Sequence, residues 1–236
     1  MIAFAKSHHS ENQAKIRQDH STGLLFFGCI VTTMKSNHLI GQSEWFRQHG
    51  GMERMIHMSK NIVILSGSPR KQGNSDLLCD QFLKGAQEGG HQVEKIFLGE
   101  KTINPCIACD TCQRKAGQCA HKDDMAEILE KMITADVIVM ATPVYFYTMN
   151  GQMKTLIDRT YARYTEISNK DMVFIMSAAV TDKAALDRTL EGFRGFTDCL
   201  SGAREKGVIY GTGAWKKGDI KGSPAMAQAY EMGKTI

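Results

Sequence analysis

Residues 61–76 read Asn-Ile-Val-Ile-Leu-Ser-Gly-Ser-Pro-Arg-Lys-Gln-Gly-Asn-Ser-Asp. Ile62, Val63, Ile64 and Leu65 form a continuous apolar run, the pattern of a strand covered on both faces of a parallel sheet. A loop of small and hydrogen-bonding residues follows and runs into a helix start. Gly67 and Gly73 allow the backbone to approach an anion closely. Ser66, Ser68, Asn74 and Ser75 supply neutral donors, and Arg70 supplies a charged fork. Asn74 or Ser75 can cap the next helix, whose first N–H groups and positive dipole end favour a phosphate. The stretch therefore reads as a phosphate-binding junction between a strand and a helix.

Spacing narrows the ligand. The chain has no G-x-x-x-x-G-K-[ST], so it is not a P-loop nucleoside triphosphatase. It also lacks G-x-G-x-x-G, the dinucleotide fingerprint. A loop that binds through hydroxyls and amides suits a single terminal monophosphate, such as that of FMN. The plain alternative is a polar strand-to-helix turn with no ligand.

The chain has 236 residues, 42% hydrophobic and 23% charged, with a net charge of +4. These values describe a soluble globular protein of one ordinary domain plus an extension. No basic run points to nucleic acid, and the mild positive balance suits an anionic cofactor. No stretch reaches the roughly 18 apolar residues of a membrane helix. Leu24–Val31 is the nearest candidate for a signal, but Phe26 and Phe27 are bulky where processing needs small residues, and Glu11 and Asp19 lie upstream. The seven cysteines include Cys106, Cys109, Cys112 and Cys119. Such clustering is unlike a secreted disulfide framework and points to a reducing cytoplasm.

Residues 1–57 differ from the rest. They are polar and carry His8, His9, His20, His38, His49 and His57 without paired metal-ligand spacing. Met58-Ser59-Lys60 leads directly into the first strand. We read 1–57 as a poorly ordered extension and 58–236 as one domain. From residue 61 strand and helix alternate: strand 61–66, helix 75–89, strand 92–97, a cysteine-bearing loop 99–120, helix 122–134 and strand 136–141. A loop 142–150, helix 151–165, strand 171–177, helix 183–201, strand 206–211 and helix 223–233 complete the chain. Such alternation implies a doubly wound, five-stranded parallel sheet with helices on both faces. Ligands of such sheets bind at the carboxyl ends of the strands, near the switch in strand order. The loops after the first, third and fourth strands should therefore share one site.

The third strand ends in Thr142-Pro-Val-Tyr-Phe-Tyr-Thr-Met-Asn-Gly151. Pro143 stiffens this segment, and Tyr145 and Phe146 can present aromatic edges or faces to an isoalloxazine ring. Backbone N–H groups here can reach the ring nitrogens. The plain alternative is a core aromatic cluster.

Residues 61–232 resemble the flavodoxin-like NADPH-dependent FMN reductase family. The matching pieces are Ser66-Gly-Ser-Pro-Arg70, Gly73-Asn-Ser75, Thr142-Pro-Val-Tyr-Phe146 and Lys154-Thr-Leu-Ile-Asp-Arg159. The resemblance implies a flavodoxin-like fold in which Ser68, Arg70, Asn74 and Ser75 hold the FMN phosphate. It implies that Pro143 to Phe146 line the flavin ring and that Ser177 to Ala179 lie along its other edge. It assigns Lys154, Asp158 and Arg159 to orienting a helix or a dimer contact, and charges at this helical spacing ordinarily form a solvated ion-pair face. The implied activity takes hydride from NAD(P)H and passes electrons to a quinone, flavin, nitro or azo compound, or protein. The implied assembly is a homodimer or homotetramer. A flavodoxin-like electron carrier without nicotinamide activity is the alternative.

Cys106-x2-Cys109-x2-Cys112-x6-Cys119 can wrap one cluster from a single loop. The spacing is similar to that of iron–sulfur flavoproteins, a branch of the same family, and implies a [4Fe-4S] cluster. Zinc fits less well, because it ordinarily uses two separated C-x2-C pairs. The same residues can also serve as free thiols or as a disulfide. Cys29, Cys79 and Cys199 lie outside the motif, and the last two are expected on helices as buried thiols. If the native chain starts near Met58, mass spectrometry of the native protein shows a mass lacking residues 1–57; an intact Met1 terminus removes that reading.

Overall fold

The computed structural model describes residues 58–236. The expected extension, its histidines, Cys29 and the apolar run at 24–31 lie outside the described residues. Five strands pair in parallel in the order β2-β1-β3-β5-β6. They are β1 (Asn61–Ser66), β2 (Gln92–Phe97), β3 (Val137–Tyr145), β5 (Asp171–Ser177) and β6 (Arg204–Gly211), and the short β4 (Thr148–Met149) pairs antiparallel with β3. Counting only the parallel strands, this is the flavodoxin-like order 2-1-3-4-5, whose switch point lies between β1 and β3. The helices are α1 (Asn74–Glu88), the one-turn α2 (Thr111–Arg114), α3 (Met125–Thr134), α4 (Gly151–Arg159), α5 (Asp187–Thr197) and α6 (Pro224–Thr235).

Strand alternation splits the core into two layers. Val63, Leu65, Ile138, Met140, Met172, Phe174 and Met176 face α3, α4 and α5. Ile62, Ile64, Val137, Val139, Val173 and Ile175 face α1 and α6. Both faces are buried, which is why the central strands read as unbroken apolar runs. On the first face Phe174 and Phe193 stack at 4.9 Å between centroids.

The structure corrects three boundaries. The expected loop 142–150 is largely strand: β3 runs on to Tyr145, with Pro143 still in register beside Ser177 of β5. The chain then turns at Phe146 and Tyr147 and returns as β4. Both turn residues have positive φ, 50° and 63°, as a two-residue type I′ hairpin demands. The usual Asn-Gly signal is absent, so the turn does not announce itself. Helix 151–165 stops at Arg159 and continues as two 3-10 turns, Thr160–Ala162 and Tyr164–Glu166. Helix 183–201 begins with a 3-10 turn whose Ala184 N–H is accepted by Asp182 at 3.0 Å, and α5 proper ends at Thr197. Cys199 accordingly lies beyond the helix and is exposed, whereas Cys79 is buried as expected. Burial, aided by nearby Asp76, pushes the Cys79 thiol far up, so it stays protonated.

Helices α1 and α6 approach closely through glycine. A Cβ on Gly85 would lie 1.9 Å from the Tyr230 carbonyl oxygen, and one on Gly233 would lie 2.2 Å from that of Phe82. Alanine is the better helix former, but here backbone would have to move. Gly85→Ala is expected to destabilise the fold by about 2 kcal/mol. Thermal denaturation reads this as a drop of several degrees in Tm. An unchanged or raised Tm would show that propensity, not packing, governs the contact.

Candidate functional site

The carboxyl ends of β1, β3, β5 and β6 enclose a cavity of about 710 Å³, within the ordinary range for cofactor pockets. One end is built from Ser68, Arg70, Gly73, Asn74 and Ser75. The other is built from Pro143, Val144, Tyr145 and Phe146, with Ser177, Ala178 and Ala179 beside them. The loops expected to share a site therefore do so. The final loop, Ala214–Lys217, forms a further wall that sequence reasoning did not find.

The phosphate-loop end is preorganised. The Ser68 hydroxyl donates to the Arg70 carbonyl at 2.9 Å and lies 3.2 Å from the Arg70 N–H. The Gly73 N–H donates back to the same carbonyl at 2.8 Å. A Cβ on Gly73 would lie 2.7 Å from Ser68 Oγ, so only glycine fits this turn. Beneath it, Asp76 accepts from Ser66 Oγ at 2.8 Å, from the Gln72 N–H at 2.8 Å and from Lys95 Nζ at 3.0 Å. Lys95 comes from β2 and also pairs with Asp80. The loop conformation, with Gln72 at φ 57°, is thus held by a buried carboxylate. Ser75 Oγ is buried at the start of α1 without a hydrogen-bond partner. A buried hydroxyl in that position lacks an acceptor that an anion at the helix N-terminus would supply.

Three residues expected to touch the ligand play other parts. Ser66 is buried behind the loop on Asp76. Thr142 is buried, donates to Asn150 Oδ1 at 3.0 Å and accepts the Asn150 N–H at 3.0 Å. Neither lines the cavity. Asn74 lines it, but its side chain is committed to the final loop. Its Nδ2 donates to the carbonyls of Ala214 at 3.1 Å and Lys216 at 3.0 Å. Its Oδ1 accepts the N–H groups of Gly218 at 3.0 Å and Ile220 at 3.4 Å. Nor does it cap α1: Gly73 occupies the N-cap with no side-chain bond. Asn74 instead brings Trp215, Lys216 and Lys217 to the pocket.

At the ring end, Asn150 joins the elements. Its Nδ2 donates to the Gly67 carbonyl, and its Oδ1 accepts the Met153 N–H at 3.4 Å, capping α4. The hairpin docks on α5, where Thr189 Oγ1 donates to the Tyr147 carbonyl at 3.1 Å and Arg188 lies 5.8 Å from the Tyr147 ring centroid. Phe146 at the tip is 99% exposed and Trp215 across the mouth is 74% exposed. Both side chains line the cavity.

The cysteine loop lies nearby in sequence and apart from this cavity. Cys106 and Cys109 are exposed, and Cys112 and Cys119 are half-buried. Among the described residues no three Cys, His, Asp or Glu side chains stand grouped as a metal would need. Hydrogen bonding to Thr111, 3.3 Å away, lowers the Cys109 thiol. Lys154 and Asp158 form the expected exposed pair at 2.6 Å. Arg159 departs from that reading. It is buried, and it grips Asp123 at 2.7 and 2.9 Å. Its guanidinium holds the Asp123 carboxyl well below the usual carboxylate range.

The Asn74 clamp generates a test. Asn74→Ala leaves two carbonyls and two N–H groups of the final loop without their partner, so the loop is expected to loosen and the Trp215 fluorescence to shift and become more easily quenched. Affinity for FMN, read by titration, should fall about tenfold, the worth of one or two such bonds. Unaltered Trp215 emission would show that the loop holds its place without the clamp.

The comparisons with known proteins agree with this geometry. A family model described as NADPH-dependent FMN reductase matches residues 60–196, more than half of the chain. An iron–sulfur flavoprotein of Methanocaldococcus jannaschii is 43% identical over 99 residues, 42% of this chain and 51% of that protein. An iron–sulfur flavoprotein of Methanosarcina thermophila is 41% identical over 99 residues, again 42% of this chain and 51% of the relative. The chain spans about half the length of the curated relatives it matches. Among solved structures, the NAD(P)H:quinone oxidoreductase from Methanothermobacter marburgensis superposes with a TM-score of 0.59 at 17% identity, covering 75% of this chain and 96% of that one. An FMN-dependent NADH-azoreductase from Bacillus anthracis gives 0.57 at 17% identity, with 75% and 98% covered. At such identity these two establish the flavodoxin-like fold alone. The family match, spanning the phosphate loop, the hairpin and α5, shows that the chain belongs to the NADPH-dependent FMN reductase family.

Proposed function

We propose that residues 58–236 form the FMN-binding domain of an NAD(P)H-dependent flavin oxidoreductase, of the kind that also carries an iron–sulfur cluster. The observation that carries this reading is the single cavity that joins the phosphate loop to the β3–β4 hairpin. The orphaned Ser75 hydroxyl supports a phosphate at one end. The Pro143–Phe146 edge and the Ser177–Ala179 segment support a planar ring at the other. When bound, FMN supplies hydride acceptance from NAD(P)H at its N5 and onward transfer of electrons singly or in pairs.

The chain's own residues bind and orient. Ser75 offers its hydroxyl to the phosphate, Ser68 can do so by releasing the Arg70 carbonyl, and the first N–H groups of α1 add donors aligned with the helix dipole. Arg70, Lys216 and Lys217 place positive charge around that end. Ser66, Asn74 and Thr142 act through the backbone segments they hold. Val144 and Tyr145, still in β3, line the cavity and would offer a surface to the ring. Phe146 and Trp215 flank the mouth, where they limit water and receive the nicotinamide co-substrate or the acceptor.

Cys106, Cys109, Cys112 and Cys119 are the proposed ligands of a [4Fe-4S] cluster. Support comes from their spacing and from similarity to the iron–sulfur flavoproteins above. Gathering them falls to segment 105–110, which carries no helix or strand. A cluster held by these thiolates would supply one-electron transfer toward a protein acceptor; without a cluster the acceptor would be a quinone, flavin, nitro or azo compound. The exposed aromatic rim supports a homodimer or homotetramer in which a neighbour covers the pocket. No described helix is long and apolar enough to cross a membrane, and four thiols in one loop suit a cytoplasmic, reducing setting. Residues 1–57 are proposed to be an extension outside this domain, and nothing in the charge pattern calls for nucleic acid.

Absorbance, iron assay and nicotinamide oxidation on anaerobically purified protein test these points together. The expected result is one FMN per chain, about four irons per chain and flavin bleaching by NADH or NADPH. Protein that binds no FMN and oxidises neither nucleotide would defeat the oxidoreductase reading. FMN-loaded protein that neither nucleotide reduces would be a carrier instead.

A further inference from the structure

The Arg159 guanidinium joins the two ends of the cysteine loop. Nη1 donates to the Asn104 carbonyl at 2.6 Å and to Asp123 Oδ2 at 2.7 Å. Nη2 donates to Asp123 Oδ1 at 2.9 Å and reaches Cys119 Sγ at 3.5 Å. Asp123 also accepts from the Asn104 N–H at 2.9 Å and from Asn104 Nδ2 at 3.1 Å. Asn104 immediately precedes the cysteine run and Asp123 shortly follows it, so all four cysteines lie between the two residues that Arg159 connects. Thr102 and Asp124 close the same base a second time, at 2.7 and 3.1 Å.

A surface ion pair does not explain this arrangement. Arg159 is 3% exposed, and a guanidinium is desolvated at high cost unless its hydrogen bonds are well placed. The turn that follows α4 seats the rest of the loop. Gln113 Nε2 donates to the Tyr161 carbonyl at 3.4 Å, and a Cβ on Gly117 would lie 2.5 Å from Arg163 Cγ. The planar fork reaches two carboxylate oxygens, a carbonyl and a sulfur at once. A lysine supplies the same charge at one point only.

We propose that Arg159 is the positioning residue of the cysteine loop, tying its ends together and donating a hydrogen bond to the Cys119 sulfur as that sulfur ligates the cluster. The second half of this inference rests on the iron–sulfur reading above. N–H···S bonds raise the reduction potential of iron–sulfur clusters, and partners of this kind govern how well ligands hold their metal.

The test uses the full chain with FMN bound, reconstituted anaerobically with iron and sulfide, as wild type, Arg159→Lys and Arg159→Met. FMN occupancy reports folding. Arg159→Lys is expected to keep FMN, to lose iron to a chelator about tenfold faster and to show a lower cluster midpoint potential. A residue that merely stabilises the fold would not move the potential. In iron-free protein, alkylation of Cys119 should quicken in Arg159→Lys while that of exposed Cys199 stays constant. Wild-type iron retention and potential in Arg159→Lys would overturn the proposal even if Arg159→Met fails to fold. If wild type itself takes up no iron, the iron–sulfur reading fails, and Cys119 alkylation then decides the loop-tying role: an unchanged rate overturns it.

Discussion

The side-chain amide of Asn150 is the joint on which the site is built. It holds the Gly67 carbonyl of the phosphate loop, the Thr142 hydroxyl of β3 and the Met153 N–H in the first turn of α4. These three segments meet at the β1–β3 switch point, where the sheet's connections diverge and leave a crevice. Without a side chain that serves as donor and acceptor together, the buried Gly67 carbonyl and the Met153 N–H would lose a partner at once. The hairpin, the phosphate loop and α4 therefore keep a common geometry. That geometry is what makes one cavity from loops far apart in sequence.

Helix α4 carries this order outward. Asn150 caps its start beside the flavin pocket, and Arg159 ends it beside the cysteine loop. Nine residues of α-helix span about 13 Å, and Met153 and Leu156 bury its inner face in the core. The two candidate redox elements are thus mounted on opposite ends of one short, well-packed rod. The hairpin adds a local exception to ordinary chain preferences. Phe146 and Tyr147 both hold positive φ, a conformation that bulky residues adopt only where the surroundings enforce it. Docking of Tyr147 on Thr189 and Arg188 supplies that enforcement and leaves Phe146 projecting at the mouth.

Most of the fold was legible because its signals are local. The runs at 61–66 and 171–177 mark strands to the residue, since burial on both faces removes polar interruptions, and the half-exposed 92–97 marks the edge strand β2 as closely. Ser68 just after β1, Ser75 at the start of α1 and Pro143 to Phe146 at the end of β3 were legible as lining because all lie at the carboxyl ends of strands. What escaped the sequence depends on distant partners. The bond from Asn74 to Ala214 spans 140 residues, and no periodicity announces it, so a residue placed on the phosphate proved to anchor a loop. Trp215 and Lys217 were invisible as lining until that anchor was seen. Arg159 sits at ordinary helical spacing from surface charges, and only the return of Asp123 to its side distinguishes a buried clamp from a solvated face.

The chemistry of the lining limits what the protein itself can contribute. Among the described residues around the cavity, the ionisable side chains are Arg70, Tyr145, Lys216 and Lys217, with no carboxylate and no imidazole. Positive charge gathered at one end and apolar or aromatic surface at the other match a ligand that is anionic at one end and planar at the other. The buried carboxylate of Asp76 is kept behind the loop, spent on Ser66, Gln72 and Lys95, where it shapes the cradle without repelling a phosphate directly.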